Sequence, residues 1–297
     1  MPPALAPALG ASLLKHHFTV DVEEYFQVSA FDPYVPRDSW HARESRVERS
    51  VAQLLELLAR HDARATFFVL GWLGARRPNM VREIAAAGHE IASHGWDHRR
   101  VGTETPDEFR VSIRRSKHEL EQRTGEAVWG FRAPNFSIVP GLEWAFDVLL
   151  EEGYRYDSSI YPARRPGSGF PGAARDPHWV QRSAGALAEI PPAVLRYWGV
   201  SLPAGGGAYF RVLPYGLTRA ALAACERRAV PGTFYIHPWE IDPEQPRIAV
   251  PLRTRLRHYT GLAQVSTRLA RLLTEFRFTA IRDTVASSRP VEASACG

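Results

Sequence analysis

Apolar positions along this chain fall into short buried runs separated by stretches with a helical period. Residues 17–22 place Phe18, Thr19, Val20 and Val22 in a β-branched and aromatic run that ends in acids, which predicts a short buried strand. Val47, Val51, Leu54, Leu55 and Leu58 then recur at spacings of three and four, which predicts a helix over 46–60 with one apolar face. Further strands are predicted at 64–70, 90–93, 128–131, 154–157, 187–190, 233–236 and 278–281. Helices are predicted at 79–87, 105–124, 141–152, 218–228 and 261–276. The helix at 105–124 carries its own punctuation: Thr105 as N-cap, Glu108 as capping-box partner and Gly125 as stop. This alternation implies βα units and an α/β fold with parallel strands. Residues 161–187 hold four Pro and four Gly without periodicity and read as a long loop. Residues 202–216, with Gly205, Gly206 and Gly207, read as another.

Composition adds limits. The chain has 297 residues, 45% hydrophobic and 23% charged, enough for a sizeable core. No linker divides it. Lys and Arg number 37 against 32 Asp and Glu, a net charge of +5, and the basic pairs are scattered. That excess helps capture an anionic polymer, but no nucleic-acid motif accompanies it, so no nucleic-acid partner is expected. No run approaches the ~20 apolar residues of a membrane helix. The stretch before Lys15 lacks the basic start of a secretory signal, so the expected compartment is the cytoplasm. Cys225 and Cys296 cannot form a disulfide framework, and any metal must sit on His, Asp or Glu.

Catalytic groups in parallel α/β folds gather where strands run out. Asp21, Glu23 and Glu24 follow the first predicted strand, His94 and His98 the third, Arg132 the fourth, Asp157 the fifth, and His237 and Glu240 the strand at 233–236. Extended backbone puts Asp21 and Glu23 on one face and Val22 and Glu24 on the other. On one helical turn His94 and His98 would point the same way and share a cation. A neutral His pair with one carboxylate leaves a fourth position for water, the catalytic zinc pattern. Taken singly, each feature has a plainer reading: incidental surface histidines, an acidic turn opening a helix, a structural ion pair at Arg132, a satisfied core histidine at 237.

Together these segments resemble carbohydrate esterase family 4, the nodulation-type polysaccharide deacetylases. The resemblance rests on Thr19-Val20-Asp21-Val22-Glu23-Glu24, on His94 and His98, on Arg132-Ala133-Pro134 and on Ile236-His237. Gly95 replaces a hydroxyl residue of the family's second motif, and Val22 replaces the second of its two adjacent aspartates. The segments around Glu23-Glu24-Tyr25-Phe26, Asp157-Ser158-Ser159, His237-Pro238-Trp239-Glu240 and Arg257-His258-Tyr259-Thr260 are similar to the branch encoded with exosortase and exopolysaccharide gene clusters.

The resemblance implies a distorted, incomplete (β/α) barrel of seven strands with long irregular loops. It implies a flexible segment at 1–16, a catalytic domain over 17–240, a C-terminal extension over 241–285 packed on the same domain, and a frayed tail at 286–297. The implied reaction is metal-dependent hydrolysis of N-acetyl groups on a polysaccharide or oligosaccharide. Zn²⁺ or a similar divalent ion would be held by Glu23, His94 and His98, with Glu24 competing for the place of Glu23. Asp21 is the implied base, held by Arg132, and His237 the implied acid. Asp157 is the first choice for the acid that tunes His237, with Glu189 and Glu240 as alternatives. The backbone N–H near Asn135 would face the oxyanion. Asn135, Phe136, Trp96, Trp239, Tyr209 and Tyr161 are candidate substrate contacts, and Arg164, Arg165 and Arg211 either meet acidic groups or are exposed loop charges. Two other readings stand beside this one: an amide hydrolase acting on a small linear or cyclic molecule, and a non-catalytic sugar-binding module.

Overall fold

Strands too apolar to face water on either side have to be covered on both, and seven such strands set the architecture. In this computed structural model, residues 14–165 and 168–288 are described; the first thirteen residues of the expected flexible segment and the tail from 289, with Cys296, lie outside them. The first half alternates β1 (His16–Val22), α1 (Val47–Arg60), β2 (Thr66–Val69), α2 (Gly71–Arg76), α3 (Pro78–Ala86), β3 (Glu90–Ser93), α4 (Pro106–Thr124), β4 (Gly130–Phe131), α5 (Trp144–Glu151) and β5 (Tyr156–Asp157). The second half runs β6 (His178–Arg182), β7 (Gly185–Glu189), β8 (Val194–Tyr197), β9 (Val200–Pro203), α6 (Gly207–Val212), α7 (Tyr215–Glu226), β10 (Thr233–Ile236), α8 (Leu252–Tyr259), α9 (Val265–Glu275), β11 (Phe278–Thr279) and α10 (Ile281–Ala286).

The parallel strands follow the order β10-β1-β2-β3-β4-β5-β7. β6 adds an antiparallel edge on β7, and β11 lies parallel beside the start of β1. The sheet curls into an incomplete (β/α) barrel. Pro192, just past β7, makes a bridge to Thr233 of β10. The period of two divides each strand. Phe18, Val20, Val22, Phe67 and Val69 pack outward with the apolar faces of the helices. Phe68, Ala92, Tyr156 and Ala188 form a second cluster with Ile281 and Val285 of α10. α10 closes the N-terminal end of the barrel: Ile281 N donates to Thr66 Oγ1 (2.8 Å), and Arg282 N donates to Glu90 Oε2 (2.9 Å). Chemistry is thereby left to the opposite, C-terminal end. Gly130 is required where β4 meets β5, because a Cβ there would lie 1.9 Å from the Tyr156 ring.

The long helix obeys its punctuation. Thr105 and Glu108 form a reciprocal capping box, and Gly125 ends α4 in the left-handed conformation at φ 73°. The two predicted loops need correction. Residues 161–187 contain β6, whose alternating burial marks an edge strand, and residues 202–216 contain the end of β9 and all of α6. β9 closes a two-stranded hairpin with β8. α2 is too short to show a period, and the only aliphatic residues of α8, Leu252 and Leu256, are exposed, so neither helix has the apolar stripe that a sequence reading requires. Among the described residues, no helix is long and apolar enough to cross a membrane.

His17 is buried inside the barrel, between Thr233 Oγ1 (3.0 Å) and Thr284 Oγ1 (2.9 Å). Burial, with His16 and Arg132 nearby, lowers its pKa to about 3. A depressed folded-state value contributes stability that is full above the unfolded value near 6.5 and is lost as pH falls toward the folded one. Between pH 7.5 and pH 5, His17 alone is expected to remove about 2 kcal/mol. Urea midpoints at the two pH values check this, and the His17→Gln variant should show a shallower fall than the wild type.

Candidate active site

The three acids at the end of β1 part company as strand geometry requires. Asp21 and Glu23 line the cleft at the C-terminal end of the barrel. Glu24 points to the other side, where it accepts from Ser45 Oγ and from Arg46 N (3.0 Å) at the start of α1. The alternative between Glu23 and Glu24 is thus separated by geometry: Glu24 is engaged as a helix cap.

His94 and His98 converge, but not on a helical turn. β3 ends at Ser93, and the pair sits on a loop in which Gly95 (φ 77°) and His98 (φ 61°) both take positive φ. For a histidine that backbone is uncommon and marks a constrained position. Each Nδ1 is occupied: His94 Nδ1 donates to the carbonyl of Arg132 (2.7 Å), and His98 Nδ1 lies 3.3 Å from Ser29 Oγ. Such outer bonds leave Nε2 as the ligating atom. Nε2 of His98 is 2.7 Å from Glu23 Oε2, and Glu23 Oε1 accepts from Trp239 Nε1 (2.9 Å).

These residues suit a cation. Ligand atoms of Glu23, His94 and His98 all lie within 4.8 Å of one another, and all three residues are buried. Glu23 Oε2 has no well-aligned hydrogen-bond donor despite its short distance to His98, an orphan that a cation would satisfy. Burial lowers His94 to about 4, so it is neutral and its lone pair is free. Burial works against an ionised Glu23, but His98 and His237 outweigh it and hold the carboxyl below the usual range. Two imidazole nitrogens and one carboxylate oxygen are a divalent-metal donor set.

Asp21 stands beside this triad. Its Oδ1 accepts from Arg132 Nη1 (2.7 Å), which also donates to Thr19 Oγ1 (2.8 Å). The rest of the Arg132 guanidinium donates to Ser158 O (3.2 Å) and Ser158 Oγ (2.8 Å). Asp21 Oδ2 faces His237 Nε2 at 3.9 Å. The acid on His237 is Glu240, not Asp157: Nδ1 meets Glu240 Oε2 at 2.8 Å, and Glu240 Oε1 accepts from Arg211 Nε (2.5 Å). Burial opposes charge on His237, but Glu23, Glu240 and Asp21 raise it to about 9. Asp157 is turned into the fold, where it accepts from Ser159 N (2.8 Å) and Ser159 Oγ (2.6 Å). Glu189 accepts from Ile160 N (3.1 Å).

The cleft has a volume of about 290 Å³. Asn135, Phe136, Tyr209, Arg165, Arg211 and Trp239 line it, as does His258. Asn135 and Phe136 both have positive φ, and Asn135 Nδ2 donates to Ser29 Oγ. Trp96 is elsewhere: its indole lies against Gly71, with the Arg115 guanidinium 3.5 Å from the ring centroid. Tyr161 is buried beside Phe136 and Tyr235, and Arg164 is exposed. Sequence reasoning gave no role to Ser29, Thr19 or Ser158, whose hydroxyls orient His98 and Arg132. Nothing local marks such residues, because their partners are distant in sequence. His258 stacks on Trp239 at 4.1 Å and is lowered to about 3 by burial, so the segment after residue 240 reaches the site.

An incomplete (β/α) barrel thus carries, at its C-terminal end, a two-histidine, one-carboxylate cluster able to hold a cation, with an aspartate beside it. Residues 38–144 match the polysaccharide deacetylase family, and residues 158–286 match a domain of unknown function, DUF3473. A peptidoglycan-N-acetylglucosamine deacetylase of Bacillus cereus is 29% identical over 160 residues, which is 47% of this chain and 56% of that protein. The chain therefore spans little more than half the length of that relative. A Mycobacterium smegmatis protein provisionally called a polysaccharide deacetylase shares the fold at 20% identity and a TM-score of 0.65, over 97% of this chain and 94% of that one. Puue allantoinase does so at 16% identity and a TM-score of 0.63, over 96% and 93%. The family match over residues 38–144 and the curated relative support the polysaccharide deacetylase family, and the solved structures share the fold.

In metal-free protein, Glu240→Gln is expected to lower the His237 pKa from about 9, since one of the charges that raises it is gone. Imidazole chemical shifts followed from pH 5 to 11 measure this, and an unchanged midpoint would assign the elevation to Glu23 and Asp21 alone.

Proposed function

We propose that this protein hydrolyses the N-acetyl group of a glycan in a metal-dependent reaction, releasing acetate and a free amine. The observation that carries the reading is the Glu23, His94 and His98 cluster flanked by Asp21 on Arg132 and by His237 on Glu240. A divalent cation held by the cluster, Zn²⁺ in our reading, supplies Lewis-acid polarisation and a water that ionises near neutral pH.

The remaining work belongs to side chains and backbone. Arg132 takes one oxygen of Asp21 and leaves Oδ2 to accept the proton of the attacking water. Amide cleavage needs a proton on the departing nitrogen, and His237 Nε2 delivers it. Glu240 on Nδ1 orients the ring and favours its protonated form. In this reading the N–H near Asn135, on the positive-φ turn that lines the cleft, meets the developing oxyanion. Residues 17–240 carry these groups, and the extension over 241–285 adds His258. In this reading the natural substrate is an exopolysaccharide or its precursor, and the chain belongs to the exosortase-associated branch. The polymer is met in the cytoplasm.

A second reading has one specific observation behind it. Puue allantoinase shares the fold over nearly the whole chain, and its name denotes action on a small cyclic amide. Acetate release from N-acetylglucosamine oligomers, set against ring opening of cyclic ureides, separates the two.

Glu23→Ala is expected to lose bound metal and acetate release together, while Glu24→Ala keeps its metal and loses stability instead. Asp21→Asn should keep the metal and lose about 10²–10⁴-fold in kcat, the range for a removed general base. Metal content by elemental analysis, paired with an acetate assay, checks all three. Metal loss confined to Glu24→Ala would overturn the ligand set, and an active Asp21→Asn enzyme would overturn the base.

A further inference from the structure

Outside the catalytic groups, the cleft is conspicuous for arginines that no carboxylate answers. Arg132 and Arg211 each hold a carboxylate, Asp21 and Glu240. Arg100, Arg165 and Arg257 line the same cleft, and among the described residues none has a carboxylate within ion-pair distance. The acids in the cleft wall are Asp21 and Glu23, both already committed.

Arg165 is the most unusual of the three. Its guanidinium lies 4.4 Å from the ring centroid of Tyr161, 5.4 Å from Phe136 and 5.8 Å from Tyr209. Among the described residues its Nη1 is buried without a hydrogen-bond acceptor, as is Nε of Arg100. Burying a charged donor without an acceptor is costly, and a fold seldom keeps one unless a partner arrives from outside. Aromatic faces hold the cation in place without neutralising it. A planar guanidinium held this way presents its fork to an oxyanion.

We propose that Arg165, with Arg100 and Arg257, forms an anion subsite beside the reaction centre, and that the substrate is an acidic glycan whose carboxylate or phosphate docks there. The inference rests on the deacetylase reading and deepens it by naming the charge of the substrate. It also accounts for the loop that carries Arg165: the chain between β5 and β6 brings a cation over the cleft beside Phe136 and Tyr209. The subsite holds the substrate away from the scissile amide, so it acts on affinity and on selection between glycans.

Two matched pairs of probes test this. The first is a hexasaccharide alternating N-acetylglucosamine and glucuronate against the neutral N-acetylglucosamine hexamer. The second is N-acetylglucosamine 6-phosphate against N-acetylglucosamine. Calorimetry is run on metal-loaded protein in an Asp21→Asn background to stop turnover, and acetate release is measured with Asp21 intact. At least tenfold tighter binding of an acidic member is expected, weakening as salt rises, and the pair that shows it identifies the anion. Arg165→Gln should abolish most of that preference, and Arg165→Lys should keep part of it. Equal binding within both pairs, or an unchanged preference in a folded Arg165→Gln protein, would overturn the subsite. Tight acidic binding without acetate from any probe would leave the subsite standing and sink the deacetylase reading.

Discussion

A guanidinium with no access to water has to be answered on every side, and at Arg132 the polar answers come from β1 and from the chain just past β5. The side chain follows β4, reaches back to Thr19 and Asp21 on β1, and forward to Ser158 just past β5. Its own carbonyl holds Nδ1 of His94, just past β3. One residue therefore fixes the orientation of an aspartate and the tautomer of a histidine at once. Phe68 lies 4.1 Å beneath the cation and keeps water out. In such a dry setting an unpaired partner is expensive, so the arrangement is held as a unit.

The barrel explains why so few elements suffice. Parallel strands end on the same side, so Asp21 near the end of β1 and His94, Arg132 and His237, one residue past β3, β4 and β10, come to one mouth. The other mouth is closed by α10, whose backbone amides are taken up by Thr66 and Glu90. Chemistry and stability are thereby assigned to opposite ends of the same sheet. The chain beyond residue 240 contributes to both, through α10 at the bottom and His258 at the top.

Long elements and their punctuation were legible in the sequence because they depend on neighbours. The α4 capping box needs only Thr105, Glu108 and Gly125, and the facing of Asp21 with Glu23 follows from strand period alone. Features that depend on partners distant in sequence were not. The HxxxH spacing suggested a helical turn, whereas two positive-φ residues bring the imidazoles together from a loop. The resemblance implies Asp157 as first choice for the acid on His237, with Glu240 an alternative; the turn after β10 folds Glu240 back onto it, three residues away. β6 was hidden in a Pro- and Gly-rich stretch because an antiparallel edge strand needs apolar residues on one face only.

The account stands or falls on where a divalent ion sits. Anomalous diffraction from crystals of the zinc-loaded protein locates it directly. We predict one ion about 2.0–2.2 Å from Glu23 and from Nε2 of both His94 and His98, with Asp21 outside the coordination shell and still on Arg132. An ion bound by Asp21 or Glu24, or one found away from the two imidazoles, would contradict the account.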